Sequence, residues 1–258
     1  MGLSLLLEGP ASSSAAEFAE RRLGFVPDAA QRRMLESGSR RLLLCCSRQW
    51  GKSTAAAALT VYRAEETAGA LVVCVSPTLR QTGEFLLKVR LFLDAAGVTY
   101  RGSKLSLTLG NGSRIVGLPG REANVRGYSA PSLVVIDEAA RVEDSLYYAL
   151  RPMLATSAGS LVLLSTPFGE RGFFWKEWAQ GGERWTRVEA KATECARIPA
   201  EFLEEERAAQ GAEWYAQEYL CSFVGMRNQA FRGEWLEAAK REGLRAQALG
   251  FRFKESML

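Results

Sequence analysis

The chain has 258 residues, of which 47% are hydrophobic and 24% charged, with a net charge of +4. That is enough for a full hydrophobic core in one large domain with a small appendage, and the mild basic excess leans toward a polyanionic partner. No histidine is present, which excludes His-dependent triads, His metal sites and imidazole bases. The five cysteines include no Cys-x-x-Cys pair. Cys45, Cys46 and Cys74 lie inside apolar runs, as buried thiols of a reducing cytosol do. The start, MGLSLLLEGP, lacks a basic leader and soon meets Glu8 and Pro10, unlike a signal peptide. Leu6 stands where myristoylation needs Ser or Thr, and no apolar run reaches membrane-spanning length.

In chain order, residues 1–22 read as a loose tail that ends in a short helix. RLLLCCS (41–47) reads as a buried strand, with a helix behind it in STAAAALTVYRAEE. ALVVCVSPT (70–78) is a second strand, followed by the helical RQTGEFLLKVRLFLDAAG. KLSLTLGNGSRIVGLPG alternates about Asn111-Gly112, the pattern of a β-hairpin. SLVVIDEAA (132–140) and SLVLLSTP (160–167) are two further buried strands. The stretch FGERGFFWKEW reads as a loop, with Phe173, Phe174, Trp175 and Trp178 as core aromatics. RWTRVEAKAT is a later strand, and PAEFLEEERAAQGAEWYAQEYL is one helix with Pro199 near its start. Continuous apolar strands flanked by helices predict an α/β fold with a parallel sheet covered on both faces. Ligands of such sheets sit at the carboxyl ends of the strands. Ser47, Ser76-Pro77, Asp137-Glu138 and Ser165-Thr166 all fall there.

Strand, Gly51-Lys52-Ser53, then helix is the context of a phosphate-binding loop. Backbone N–H groups from Arg48 through Gln49, Trp50, Gly51 and Lys52 are expected to wrap a β-phosphate, with the helix N-terminus adding partial positive charge. Lys52 would bridge β- and γ-oxygens, and the Ser53 hydroxyl would ligate Mg²⁺. Cys46 occupies the usual position of the loop's first glycine, which predicts a departure of the backbone there. Asp137 ends a buried strand, suited to holding Mg²⁺ through water, and Glu138 is the candidate base for activating water. Arg126, on the loop NVRGYSAPS, could reach the γ-phosphate of a neighbouring subunit; Arg48 and Arg141 are rivals for that role. Ser165 and Thr166 could sense the γ-phosphate. Gln31, in FVPDAAQRRML, has the amide needed to read an adenine edge.

These residues together resemble the ATPase domain of phage large terminase subunits. The resemblance rests on PDAAQ (27–31), SRQWGKST (47–54), SPTLRQ (76–81), NVRG (124–127), VVIDEAA (134–140), LLSTPFG (163–169) and AEWYAQEYLCSFV (212–224), and it spans about residues 22–232. It implies a RecA-like, additional-strand P-loop NTPase fold with a small C-terminal lid subdomain. The expected divisions are an N-terminal tail and helix (1–22), an ATPase core (23–180), a last strand with lid helices (181–232) and a linker or tail (233–258).

The resemblance also implies roles. Gln31 looks like the adenine-motif glutamine. Ser47, Arg48, Gln49, Trp50, Gly51, Lys52, Ser53 and Thr54 look like the nucleotide loop. Asp137 and Glu138 look like the Walker B pair, Ser165-Thr166 resembles the coupling motif, and Arg126 is similar to an arginine proposed as a trans-acting finger, with Arg48 as a cis alternative. The implied cofactors are ATP and Mg²⁺. The implied activity is ATP-driven translocation of double-stranded DNA into a procapsid, in the host cytoplasm, by a homo-oligomeric ring of five subunits. The chain would be a monomer in isolation, with no membrane contact, and the portal protein and small terminase subunit as partners. Arg101, Lys104 and Arg121 are candidates for gripping DNA. The family usually continues into an RNase H-like nuclease with an aspartate cluster. Asp144 is the last aspartate here, so no nuclease activity is expected. The alternatives are a superfamily 2-like helicase or remodelling ATPase, and a non-catalytic nucleotide-switched module for DNA binding or assembly.

Overall fold

A computed structural model describes residues 14–120 and 127–225. Eight strands form one sheet in the order β3-β4-β5-β2-β6-β7-β1-β8. Six of them run parallel: β5 (Arg114–Pro119), β2 (Leu71–Ser76), β6 (Leu133–Asp137), β7 (Ser160–Ser165), β1 (Arg41–Cys46) and β8 (Thr186–Ala190). β4 (Ser106–Leu109) pairs antiparallel with β5 about the expected Asn111-Gly112 turn, with Leu107 opposite Ile115. A short outer strand, β3 (Tyr100–Ser103), extends the hairpin to three strands. β3 is mostly exposed, so it lacks the apolar alternation that marks β4 and β5.

Strand side chains alternate between the two faces, and the sheet divides the core accordingly. Leu42, Leu44, Val72, Cys74, Val135 and Leu164 face one cluster. Leu43, Cys45, Val73, Ile136 and Leu163 face the other. The first face is covered by α1 (Ala15–Leu23), α2 (Ala29–Glu36), α3 (Lys52–Glu66) and α4 (Leu79–Ala95). A run of four alanines, Ala55 to Ala58, is fully buried in α3 and lets the helix lie close against the strands. α1 shares this core, with the Phe18 ring edge-on to Tyr62 at 5.5 Å. Its N-terminus is closed by a capping box between Ser14 and Glu17. Among the described residues no helix is long and apolar enough to cross a membrane.

The second face is covered by α5 (Asp144–Leu150) and α6 (Gly172–Gln180). α6 corrects the sequence reading, which took FGERGFFWKEW as a loop. Gly172 has φ +72 and Asp144 Oδ1 accepts the Phe173 N–H at 2.8 Å, so the first turn starts from a glycine bend and a carboxylate from another helix. Neither feature is a local start signal. Phe173 and Phe174 are buried as expected, and Phe173 stacks on Tyr147 at 4.2 Å. The helix expected over 199–220 is two: α7 (Ala200–Gln210) and α8 (Ala212–Tyr219). Gly211, at φ +75 and ψ 155, breaks it, a conformation that only glycine adopts readily. The α7–α8 pair has a small core of its own, from Leu203, Tyr215, Tyr219 and Ala192.

Glu177 of α6 is buried beneath the second face. It accepts Tyr147 Oη–H at 2.8 Å, Trp185 Nε1–H at 2.7 Å and an Arg184 N–H at 3.0 Å. Burial alone would raise its pKa, but these donors outweigh it and hold the carboxyl below its usual range. Replacing Glu177 with Ala strands two buried donors and is expected to lower unfolding free energy by about 3 kcal/mol in a denaturant titration. A folded-state pKa below the unfolded one stabilises above the unfolded value and is lost as pH falls through the folded one. The melting-temperature gap between wild type and Glu177→Gln should therefore shrink below about pH 4.

Candidate functional site

β1 ends at Cys46, and the chain turns through Ser47 to Gly51 into α3. The expected departure at Cys46 does not occur. Cys46 stays in the strand, paired in register with Ala190 of β8, and is fully buried. The left-handed residues are Gln49, at φ +58, and Gly51, at φ +96, so the turn sits deeper in the loop than a first-glycine rule predicts. Trp50 is buried in the first core, and this anchors the loop from its middle. Its carbonyl accepts Gln31 Nε2–H at 3.2 Å and an Arg197 N–H at 2.7 Å. Gln31 Oε1 in turn accepts the Asp28 N–H at 2.9 Å, closing the capping box of α2, and Arg197 also pairs with Asp28 at 2.9 Å. The amide of Gln31 therefore binds the loop's own backbone from a buried position.

α3 has no side-chain cap on Gly51, so its first N–H groups point out of the helix toward the loop. The Ser47 N–H goes to Ala190 O and the Arg48 N–H to Glu218 O, each at 2.9 Å. Ser53 and Asp137 meet as expected: Ser53 Oγ donates to Asp137 Oδ2 at 2.8 Å. Asp137 is buried at the end of β6, and the Glu138 N–H holds its other oxygen at 3.0 Å. Burial pushes the Asp137 carboxyl above its usual range, against the opposite pull of Lys52. Glu138 leaves the strand in a left-handed conformation, φ +53, and this aims its side chain back across the loop. Lys52 Nζ lies 3.0 Å from Glu138 Oε1. Burial works against the Lys52 charge, but Glu138 and Asp137 outweigh it and hold the ammonium above its usual value.

Arg141, just after Glu138, joins three elements. One terminal nitrogen reaches Glu138 Oε2 at 3.3 Å and Thr166 Oγ1 at 3.0 Å, and the other reaches Glu218 Oε1 of α8 at 3.1 Å. Ser165, at the end of β7, is buried, and among the described residues its hydroxyl has no hydrogen-bond partner. Arg48 extends into solvent, with Nε 3.6 Å from Glu218 Oε2. Arg126 and Arg121 lie outside the described residues. Arg101 and Lys104 lie on and beside β3, at the sheet edge away from the loop. The parallel sheet thus brings Lys52, Ser53, Asp137, Glu138, Arg141 and Thr166 to one edge. Two residues of this site had no motif to announce them. Arg197 stands in an irregular stretch with no signal, whereas Glu218 shares a helical face with Tyr215 and Tyr219, and a carboxylate on such a face demands a cation.

Among the described residues no group of three or more Cys, Asp or Glu could hold a metal. One carboxylate beside one hydroxyl fits Mg²⁺, which keeps water and phosphate oxygens in most of its positions.

A model of "Terminase large subunit, T4likevirus-type, N-terminal" matches residues 43–238. The chain belongs to the terminase large subunit family. The large subunit of Thermus virus P23-45 is 28% identical over 175 residues, which is 59% of this chain and 36% of that relative. The chain thus spans little more than a third of that relative's length. The ATPase domain of the Thermus phage P74-26 large terminase superposes with a TM-score of 0.70 at 24% identity, covering 81% of this chain and 98% of that one. A large terminase of a thermophilic bacteriophage, solved in complex with ADP, superposes at 0.68 and 12% identity over 77% of this chain and 54% of its own. The fold is accordingly that of the terminase ATPase domains, a mostly parallel sheet flanked by helices.

A Cβ at Gly51 would lie 3.0 Å from Gln31 Nε2, at a φ that strains any other residue. Gly51→Ala should lower stability by about 1–3 kcal/mol in equilibrium unfolding. A variant as stable as wild type would mean that the loop does not hold this conformation.

Proposed function

We propose that this terminase chain hydrolyses ATP and that the hydrolysis drives double-stranded DNA into a procapsid. The observation that carries the reading is the convergence of Lys52, the Ser53–Asp137 pair and Glu138 beside a loop that opens a helix. Two relatives in this family fold support the nucleotide assignment, being solved in complex with ADP and with ATP-γ-S.

The loop backbone and the α3 N-terminus bind the phosphates, with Lys52 on the β- and γ-oxygens. Ser53 and Asp137 hold Mg²⁺, which neutralises charge developing on the phosphates during transfer. Glu138 orients and deprotonates the attacking water once Lys52 has transferred to phosphate. Thr166, already on Arg141, carries the loss of γ-phosphate to β7, with Ser165 beside it. Gln31 sits where its amide contacts both the loop and the α2 cap, and adenine is read on this side. Arg126 of a neighbouring subunit completes the site in a ring of five, with Arg48 as the same-chain alternative. DNA is held through its phosphates, so binding weakens steeply with salt. Arg101, Lys104 and Arg121 are the candidate contacts. The portal protein and small terminase subunit are the assembly partners in the host cytoplasm.

ATP turnover measured against protein concentration tests this. Wild type should turn over ATP with a rate per subunit that rises with concentration. Glu138→Ala should lose about 10²–10⁴-fold while still binding nucleotide, and Arg126→Ala should lose roughly 10³-fold or more. Absence of turnover in wild type at every concentration, with DNA present, contradicts the reading. Turnover that survives Arg126→Ala moves the finger to Arg48.

A further inference from the structure

Glu218 is a buried carboxylate on α8, 3% exposed. Such a charge is costly unless paired. Its partners are Arg141 and Arg48, at 3.1 Å and 3.6 Å, and both lead back to the nucleotide site. Arg141 shares its guanidinium with Glu138 and Thr166. Arg48 is part of the loop, and its N–H is held by the Glu218 carbonyl at 2.9 Å. One residue of α8 thus grips the phosphate loop through its backbone and the catalytic side of the site through its side chain.

The two grips differ in strength. The Arg141 contact is a charge-assisted hydrogen bond in a half-buried setting, whereas Glu218 Oε2 faces Arg48 without a hydrogen bond. The Arg48 side chain is 58% exposed, so solvent screens that pair and it is given up at little cost. A γ-phosphate offers two guanidiniums a more highly charged anion with bidentate geometry.

We propose that Glu218 is a positioning residue whose carboxylate competes with the γ-phosphate for Arg48 and Arg141, so that arrival and loss of that phosphate are transmitted to α8. This rests on the ATP reading of the site. α8 is built to pass the change on. Tyr219 Oη–H donates to Glu206 of α7 at 2.8 Å, and burial with that carboxylate pushes the Tyr219 hydroxyl up to about 12, so it stays a donor. The two helices therefore move as a pair. On the far side Cys221, at φ +58, ties the chain back to Cys45 and Ala190 of the sheet at 3.5 and 3.3 Å, which leaves a fixed point next to the moving helix.

The test compares equilibrium binding of Mg-ATPγS and Mg-ADP to the full chain with amide hydrogen exchange across residues 48 and 212–221. In wild type, ATPγS but not ADP should speed exchange at Arg48 and along α8. Glu218→Gln should exchange fast there without nucleotide and bind ATPγS about five- to tenfold tighter relative to ADP. Glu218→Asp, which keeps the charge, should recover most of the wild-type ratio. The proposal is overturned if the ATPγS-to-ADP ratio is the same in wild type and Glu218→Gln, a result that leaves Glu218 a structural counter-ion. It is also overturned if ATPγS leaves wild-type exchange at α8 unchanged, which requires no variant to fold. Failure of wild type to bind either nucleotide overturns the ATP reading itself, and this proposal with it.

Discussion

A buried ammonium needs an anion, and at the head of α3 that requirement organises the site. Lys52 is 8% exposed and lies 3.0 Å from Glu138. Arg141 holds the other oxygen of the same carboxylate, and Glu218 holds Arg141. Cations and carboxylates alternate from the phosphate loop to α8 in a chain in which each charge neutralises the next. Exchanging one anion in such a chain changes the partner of every later member, because a stranded buried charge costs several kcal/mol. On the ATP reading, a phosphate is the anion that enters at Lys52, and the consequence is felt first at Glu138 and last at Glu218.

The sheet makes this possible by placing distant segments at one edge. β7 lies between β1 and β6, so the loop after β1 and the carboxylates after β6 are separated by one strand and bridged by long side chains. Thr166 leaves β7 in the gap between them and meets Arg141 there. Two left-handed residues, Gln49 in the loop and Glu138 after β6, turn the chain sharply where it leaves each strand. Such strained residues persist only where surrounding packing over-determines them, and here Trp50 and the buried end of β6 supply it.

Much of this was legible in the sequence, for a physical reason. Strands buried on both faces are continuous apolar runs, so β1, β2, β6 and β7 announced themselves, and the carboxylates and hydroxyls following them marked the ligand edge. The Asn111-Gly112 turn carried its own local chemistry. What escaped depends on tertiary partners. α6 is started by Asp144 from another helix, and β3 is exposed. Gly211 lies in a segment whose flanks are both helical, so its bend looks like a tolerated interior glycine. Cys46 was read by analogy with loops that open on glycine, but here Gln49 and Gly51 take the left-handed turns. Arg197 reaches Trp50 O across 147 positions of chain, a contact that no local pattern encodes.

The most direct test is a crystal structure of the full chain bound to Mg²⁺ and ATPγS. The account predicts that Lys52 Nζ lies on phosphate oxygens and more than about 4 Å from Glu138, beyond ion-pair range, with Arg48 turned away from Glu218. A bound nucleotide beside an intact Lys52–Glu138 pair and an intact Arg48–Glu218 pair would contradict it.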